Sequence, residues 1–339
     1  MRLIKTEDAV GHVLCHDMTQ IIKDQYKDAR FRKGHVVTEE DIPVLLSMGK
    51  EHLYVWEMTP GMVHENDAAE RLLALCGQEN MIRSGVKEGK IELKAACDGV
   101  FLVDSARLVA VNSQDEVMIA TRKGGMAVRE GDKLAGMRVI PLIIEEEKLR
   151  KAEQAAGDKP LLSLKPYVRK TACIVATGGE VKKGLIKDTF TPVVIDKLKT
   201  YGIETLEVVY SGDGVENVRD AVLAMREKKP DMILCTGGMS VDPDDNTPGG
   251  IKAAGANIIA YGAPVLPGAM FLLGYFDDGM PVMGLPGCVM YVGATVFDLV
   301  LPKVAADVPV TRADIAAMGE GGLCLGCKPC RYPVCPFGK

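Results

Sequence analysis

Between residues 170 and 305 short apolar runs that end in glycine alternate with amphipathic stretches, and this rhythm limits the chain to few folds. TACIVAT (171–177) and DMILCTGG (231–238) are apolar and stop at turn residues, and ETLEVVY (204–210) supplies a third run of the same kind. Between them, TPVVIDKLKTYG reads as a helix closed by glycine, and 214–228 sets Val215, Val218, Ala221, Val222 and Met225 on one helical face. Strand, helix, strand, helix, strand at this spacing predicts βαβ units. The expected fold class is therefore α/β, a doubly wound and mostly parallel sheet, with an α+β region before it.

A length of 339 residues favours about two domains. The first 150 residues lack the βαβ rhythm. A helix is expected near 39–48, where Thr38 precedes three acids and Gly49 supplies a stop, and a second over 64–76. From 100 to 144 the runs VFLVD, RLVAVN, EVMIATR, MAVREG and MRVIPLII predict a small, mostly antiparallel sheet or barrel. Residues 145–160 are charged, rich in alanine, and end in glycine and proline, which predicts a helical linker. The expected divisions are thus 1–150, a linker at 151–168, the α/β domain at 169–310 and a tail at 311–339.

The apolar run from Val289 (VMYVGATVFDLVL) predicts a buried helix, because Asp298 and Pro302 interrupt it and it is too short to span a bilayer. The start MRLIKTEDAV carries no apolar leader. Cys15, Cys76, Cys97, Cys173, Cys235 and Cys288 lie mostly in apolar runs, as reduced core thiols of a cytoplasmic protein do. A net charge of 41 − 46 = −5 argues against a general nucleic-acid or anionic-membrane surface.

In open parallel sheets, ligands bind beyond the carboxyl ends of the strands. The segments there are Thr177-Gly178-Gly179-Glu180, Ser211-Gly212-Asp213-Gly214 and Thr236-Gly237-Gly238-Met239-Ser240, then DPDDNT from Asp242 to Thr247. Pro267-Gly268 and Leu285-Pro286-Gly287-Cys288 follow. Glycine turns bare backbone N–H groups and helix starts add positive dipole, which together favour an anion such as phosphate. One such turn can simply end a strand; several at one edge favour a shared site. Glu180, Asp188, Asp213, Asp244 and Asp245 approach the same edge and would repel phosphate unless a cation lay between. Hard oxygen ligands beside phosphate point to Mg²⁺. Helix capping competes for Asp213, and turn capping for Asp188.

Taken in order, TGGEV, GLIKDT, the GDG turn, TGGMSVDPDDNT, PGAM and LPG resemble the molybdopterin-binding domain. That domain is shared by molybdopterin molybdenumtransferases, molybdopterin adenylyltransferases and a competence-associated nucleotide-hydrolysing family. The resemblance covers residues 170–305. It implies catalytic or Mg²⁺-binding roles for Glu180, Asp213 and Asp245, with the metal on Asp213 and Asp245. It also implies that Thr177, Gly178, Gly179, Asp188, Gly237, Gly238 and Ser240 surround pterin and phosphate, together with Asp244, Thr247, Pro267, Gly268, Pro286 and Gly287. The implied protein binds molybdopterin or its adenylated form. The favoured reaction is Mg²⁺-dependent insertion of molybdenum from molybdate with release of AMP. Adenylyl transfer, nucleotide pyrophosphate hydrolysis and non-catalytic carriage or sensing of the cofactor are the alternatives. A homodimer or homotrimer is also implied. The chain departs from the transferase pattern at Gly179, Phe190, Asp242 and Cys288-Val289, where acid, Asn, Gly and Asn-Pro are usual. Before residue 150, EDAVGHVL, FRKGHVVTEEDIPVLLSMG and VREGDKLAGMRVIPLII resemble the transferases' N-terminal region.

Cys324, Cys327, Cys330 and Cys335 crowd the end of the chain as Cys-x2-Cys-x2-Cys-x4-Cys-Pro. Four thiols among glycine and proline turns could hold one soft centre, either an iron–sulfur cluster or zinc. A redox pair or a reactive-thiol tail is the other reading.

Overall fold

The structure, a computed structural model, describes residues 2–22, 26–55, 60–242 and 245–339, which divide into two compact units. The first comprises 1–96, 103–124 and 131–163, and the second 97–102, 125–130 and 164–339.

In the first unit an antiparallel sheet runs in the order Met81–Arg83, Ile91–Ala95, Lys133–Val139, Val117–Thr121. The run RLVAVN, expected as a strand, lies in the helix Ser105–Asn112. Asp104 decides this: its carboxylate accepts the Arg107 amide at 3.0 Å and caps the first turn. The expected helices near 39–48 and over 64–76 appear as Asp41–Ser47 and Glu65–Cys76. The segment expected as a linker begins with the helix Glu146–Ala156, which buries Leu149, Ala152 and Ala156 and is therefore part of this unit's core.

His64 caps Glu65–Cys76 in an unusual way. Its Nε2 donates to the Cys15 carbonyl at 2.8 Å, so its Nδ1 accepts the Asn66 amide at 3.1 Å, with the Lys33 ammonium 3.2 Å away. Burial and the Lys33 charge hold His64 below the usual histidine range, although its bond to Cys15 and the charge of Asp67 oppose this. Burial, Lys50 and His64 likewise hold His16 down against the charge of Asp17. Both imidazoles are favoured neutral when folded, so their contribution is complete above about pH 6.5 and is lost as pH falls below it. The urea midpoint of the first unit is expected to fall as pH drops from about 6.5 to 5, with a shallower slope in His64→Asn. Equal slopes would remove His64 from the acid response.

The second unit is built on a six-stranded sheet. Its elements are β1 (Thr171–Thr177), α1 (Phe190–Lys199), β2 (Glu204–Ser211), α2 (Val215–Glu227), β3 (Met232–Thr236) and α3 (Thr247–Ala253). They continue with β4 (Asn257–Tyr261), β5 (Leu272–Tyr275), β6 (Pro281–Leu285), α4 (Val296–Ala305) and α5 (Arg312–Ala317). The order is β2-β1-β3-β6-β5-β4. β2, β1, β3 and β6 are mutually parallel, and β5 is antiparallel to both its neighbours, so β4 shares the majority direction. The sheet is mostly parallel, as the βαβ rhythm predicts.

Side chains on a strand alternate between its two faces. Ala172 and Ile174 of β1, Met232 and Leu234 of β3 and Met283 of β6 therefore join one core with Val194 and Leu198 of α1 and most of α4. Their neighbours Cys173, Val175, Ile233, Cys235 and Val282 join the other, with Val218, Val222 and Met225 of α2 and Ile251 of α3. Helices on both faces explain why β1 and β3 read as unbroken apolar runs. Of the five residues expected on the α2 core face, Val218, Val222 and Met225 are buried, Ala221 is partly buried and Val215 is exposed.

The apolar run from Val289 corrects one expectation. Its helix starts only at Val296, where Thr295 and Asp298 form a capping box. Before it lies the 3-10 turn Gly287–Met290, and Met290 and Tyr291 are exposed.

The tail is folded onto the second unit. Phe337 is buried in the α4 core, the Tyr332 hydroxyl donates to the Asp298 carbonyl at 3.0 Å, and the Gly338 amide donates to the Gly321 carbonyl at 3.0 Å. Among the described residues no helix is long and apolar enough to cross a membrane.

Candidate functional site

The carboxyl ends of β1, β3 and β6 meet at one edge of the sheet. Beneath that edge threonines brace the backbone. Thr177 Oγ1 donates to the Thr236 carbonyl at 2.9 Å and lies 3.2 Å from Thr247 Oγ1, which donates to the Gly237 carbonyl at 2.9 Å. The Thr247 amide closes the same turn on the Gly238 carbonyl at 3.1 Å. Thr177 and Thr247 are buried, so they hold the glycine turn from below and leave its outer side to a ligand.

Only glycine fits that turn. Gly237 and Gly238 have φ of +81° and +56°, and a Cβ on them would lie 2.3 Å from the Thr177 carbonyl oxygen and 2.6 Å from Thr247 Oγ1. Beyond the turn, Asp245 Oδ2 accepts the Ser240 amide at 3.0 Å, folding the loop back on itself. Gly268 approaches the N-terminus of α4 so closely that a Cβ would lie 3.0 Å from the Val296 nitrogen.

Together these segments enclose a cleft of about 460 Å³. Gly237, Gly238, Ser240 and Asp245 line it, together with Gly268–Met270, Leu285–Cys288, Met290 and Tyr291. Seven of the expected site residues thus share one cavity: Gly237, Gly238, Ser240, Asp245, Gly268, Pro286 and Gly287.

Thr177, Gly178, Gly179, Asp188 and Asp213 lie around the ends of β1 and β2. Asp213 does not cap α2. Its Oδ2 accepts the Gly179 amide at 3.0 Å and ties the two strand-end turns together, while Gly214 takes the N-cap position without a side-chain bond. Gly178 donates to the Ser211 carbonyl at 3.3 Å. Asp188 caps α1, accepting the Phe190 and Thr191 amides at 2.9 and 3.0 Å, and it accepts the Tyr210 hydroxyl at 3.2 Å. Partial burial opposes its ionisation, but these hydrogen bonds outweigh burial and hold Asp188 below the usual carboxylate range. The two groups touch where Thr189 Oγ1 donates to the Met290 sulfur at 3.0 Å. Pro267 adjoins the cleft but does not line it. Glu180 falls in the helical turn Gly179–Lys182, and its side chain, like Asp244, lies outside the described residues.

The donor sets decide what metal chemistry fits. Among the described residues no three His, Cys, Asp or Glu side chains are gathered to hold an ion. A protein-only Mg²⁺ cage does not fit the cleft. A Mg²⁺ ion shared between Asp245 and a ligand's phosphates does, since this ion is commonly bound by one or two carboxylates and by substrate. Among the described residues the tail's four thiols are not gathered around one point: Cys324 and Cys335 are partly buried against the α4 core, while Cys327 and Cys330 are exposed.

Sequence reasoning missed Met270, Met290 and Tyr291, which line the cleft. Tyr291 is 75% exposed, an aromatic face open to a planar ring. A tyrosine shortly after the Leu-Pro-Gly turn was the available signal.

Residues 173–306 match a family model described as "Probable molybdopterin binding domain", and residues 3–57 match one described as a domain of unknown function. Over 76 residues the chain is 33% identical to a CinA-like protein of Mycobacterium tuberculosis, and 32% identical to one of Petrotoga mobilis. These alignments cover 22% of this chain but only 18% and 19% of the relatives. Among solved structures, MoaB of Thermus thermophilus is 17% identical, with 41% of this chain and 98% of that chain covered at a TM-score of 0.35. CinA of Thermoplasma acidophilum is also 17% identical, with 40% and 98% covered at 0.34. Within this chain, residues 173–306 belong to the molybdopterin-binding domain family.

Proposed function

We propose that the cleft at the ends of β3 and β6 binds molybdopterin or its adenylated form in the synthesis of molybdenum cofactor. The observation that carries this reading is the mixed lining of one cavity: the glycine turn with Ser240 and Asp245, together with Met270, Met290 and Tyr291. The glycine turn suits phosphate or pyrophosphate, because Gly237 and Gly238 admit close approach of a ligand to the backbone. The apolar members suit a planar ring, which would stack on the exposed Tyr291.

The finer reading is transfer of molybdenum with release of AMP. Mg²⁺, when bound, would neutralise the pyrophosphate, and Asp245 is the cleft carboxylate that would hold it. The glycine turn would fix the phosphates, Ser240 would orient the loop through its amide, and Met270, Met290 and Tyr291 would exclude water from the ring. Carriage without catalysis is the second reading, favoured by the tie between Asp213 and the Gly179 amide outside the cleft.

Mass analysis of small molecules that co-purify with the protein tests the ligand directly; a pterin phosphate or pterin nucleotide is expected. Asp245→Ala is expected to weaken Mg²⁺-dependent binding of that ligand about tenfold or more, about 1.4 kcal/mol. It is also expected to stop molybdate-dependent release of AMP. Unchanged binding and turnover in Asp245→Ala would sink the catalytic assignment.

A further inference from the structure

We propose that Cys327 and Cys330 are a reversible dithiol–disulfide pair whose oxidation loosens the cleft wall that ends in Tyr291. Three observations carry this. Cys327 and Cys330 are exposed, whereas Cys324 and Cys335 are partly buried against the α4 core, so accessibility separates one pair from the other. The chain bends at Lys328 and Pro329 between the exposed two. Two residues separate the cysteines, a four-residue β-turn brings its end Cα atoms within about 7 Å, and a disulfide needs them about 4.4–6.8 Å apart.

The third observation links the pair to the cleft. As a thiol, the Cys330 side chain rests on Gly293: a Cβ built there would lie 2.8 Å from Cys330 Cβ and 2.9 Å from its Sγ. Gly293 is held from its other side, because Lys197 Nζ donates to its carbonyl at 2.9 Å. The neighbouring Val292 amide donates to the carbonyl of cleft-lining Cys288 at 2.9 Å. The tail also holds a second segment that leads into the cleft. Leu266 donates to the Gly322 carbonyl and accepts the Cys324 amide, each at 2.8 Å, two residues before Gly268. Turning Cys330 toward Cys327 withdraws its sulfur from Gly293 and unpins the turn that carries Cys288–Tyr291.

The chemistry is thiol–disulfide exchange with a low-molecular-weight disulfide. One cysteine thiolate attacks a sulfur of that disulfide and expels one small thiol. The second cysteine attacks the mixed disulfide and expels the other. The two cysteines lose two electrons and two protons and gain one S–S bond, while the small disulfide is reduced to two thiols.

The effect on ligand affinity rests on the cleft being the ligand site, but the test does not. Full-length protein, reduced anaerobically, is equilibrated in glutathione buffers of rising potential, alkylated and mapped by mass. Amide hydrogen exchange is followed over residues 287–293 without ligand. A Cys327–Cys330 disulfide is expected, with exchange over 287–293 raised about tenfold in the oxidised protein and unchanged in oxidised Cys327→Ser. Gly293→Ala, which removes the seat of Cys330, is expected to raise the same exchange in reduced protein. The proposal is overturned by a disulfide to any other cysteine, by zinc or iron retained on the tail thiols, or by exchange that ignores oxidation. Failure to find a bound pterin would overturn the ligand reading and leave this result standing.

Discussion

Gly237→Ala is expected to destabilise the second unit by about 2–4 kcal/mol and to abolish ligand binding at the cleft. A left-handed backbone costs an L-residue about 1–2 kcal/mol. The new Cβ would also lie 2.3 Å from the Thr177 carbonyl oxygen. Thr177 cannot retreat, because β1 is paired with β2 on one side and β3 on the other. The turn itself must move, and with it the amides that face the ligand. Gly279 is the control: its φ is +80°, but a Cβ there meets nothing within 4 Å, so Gly279→Ala carries the conformational cost alone. Urea unfolding of both variants measures the difference. Equal midpoints would show that the tight fit of the turn contributes nothing.

Asp298→Ala is expected to cost about 3 kcal/mol. The carboxylate closes the capping box of α4, accepting the Thr295 amide at 2.7 Å, and pairs with Lys197 Nζ at 2.5 Å. Both partners are largely shielded, with side-chain exposures of 11% and 15%. Truncation leaves the Lys197 ammonium with the Gly293 carbonyl but no counter-charge, where water reaches it poorly, and that loss exceeds the cost of the cap, about 1 kcal/mol. Asp298→Asn keeps an acceptor for the cap and should recover roughly that cap term alone. If Asn and Ala variants melt together, the cap carries no weight.

The parallel core of the sheet is legible in the sequence because burial on both faces leaves β1 and β3 as unbroken apolar runs. The glycine turns are legible because Gly237 and Gly238 stand where no other residue fits. Three features were hidden in the sequence. Asp213 precedes a helix and looks like its cap, yet the Gly179 amide, 34 residues earlier, captures it. Arg107–Asn112 has the β-branched look of a strand, and only the Asp104 cap turns it into a helix. The run from Val289 to Leu301 is largely apolar, but its first half is a turn that exposes Met290 and Tyr291 to the cleft. Apolar residues at a ligand wall and in a core look alike in one sequence; burial separates them.

Residues 97–102 and 125–130 fold with residues 164–339, so the gene does not encode the second unit as one uninterrupted block. Cutting the coding sequence ahead of Leu164 would discard the strand Gly99–Val103, whose Gly99 carbonyl accepts the Tyr167 hydroxyl at 2.9 Å. Recombination could not shuffle the two halves of such a chain freely as cassettes, and insertions or deletions near either crossing would be felt in both.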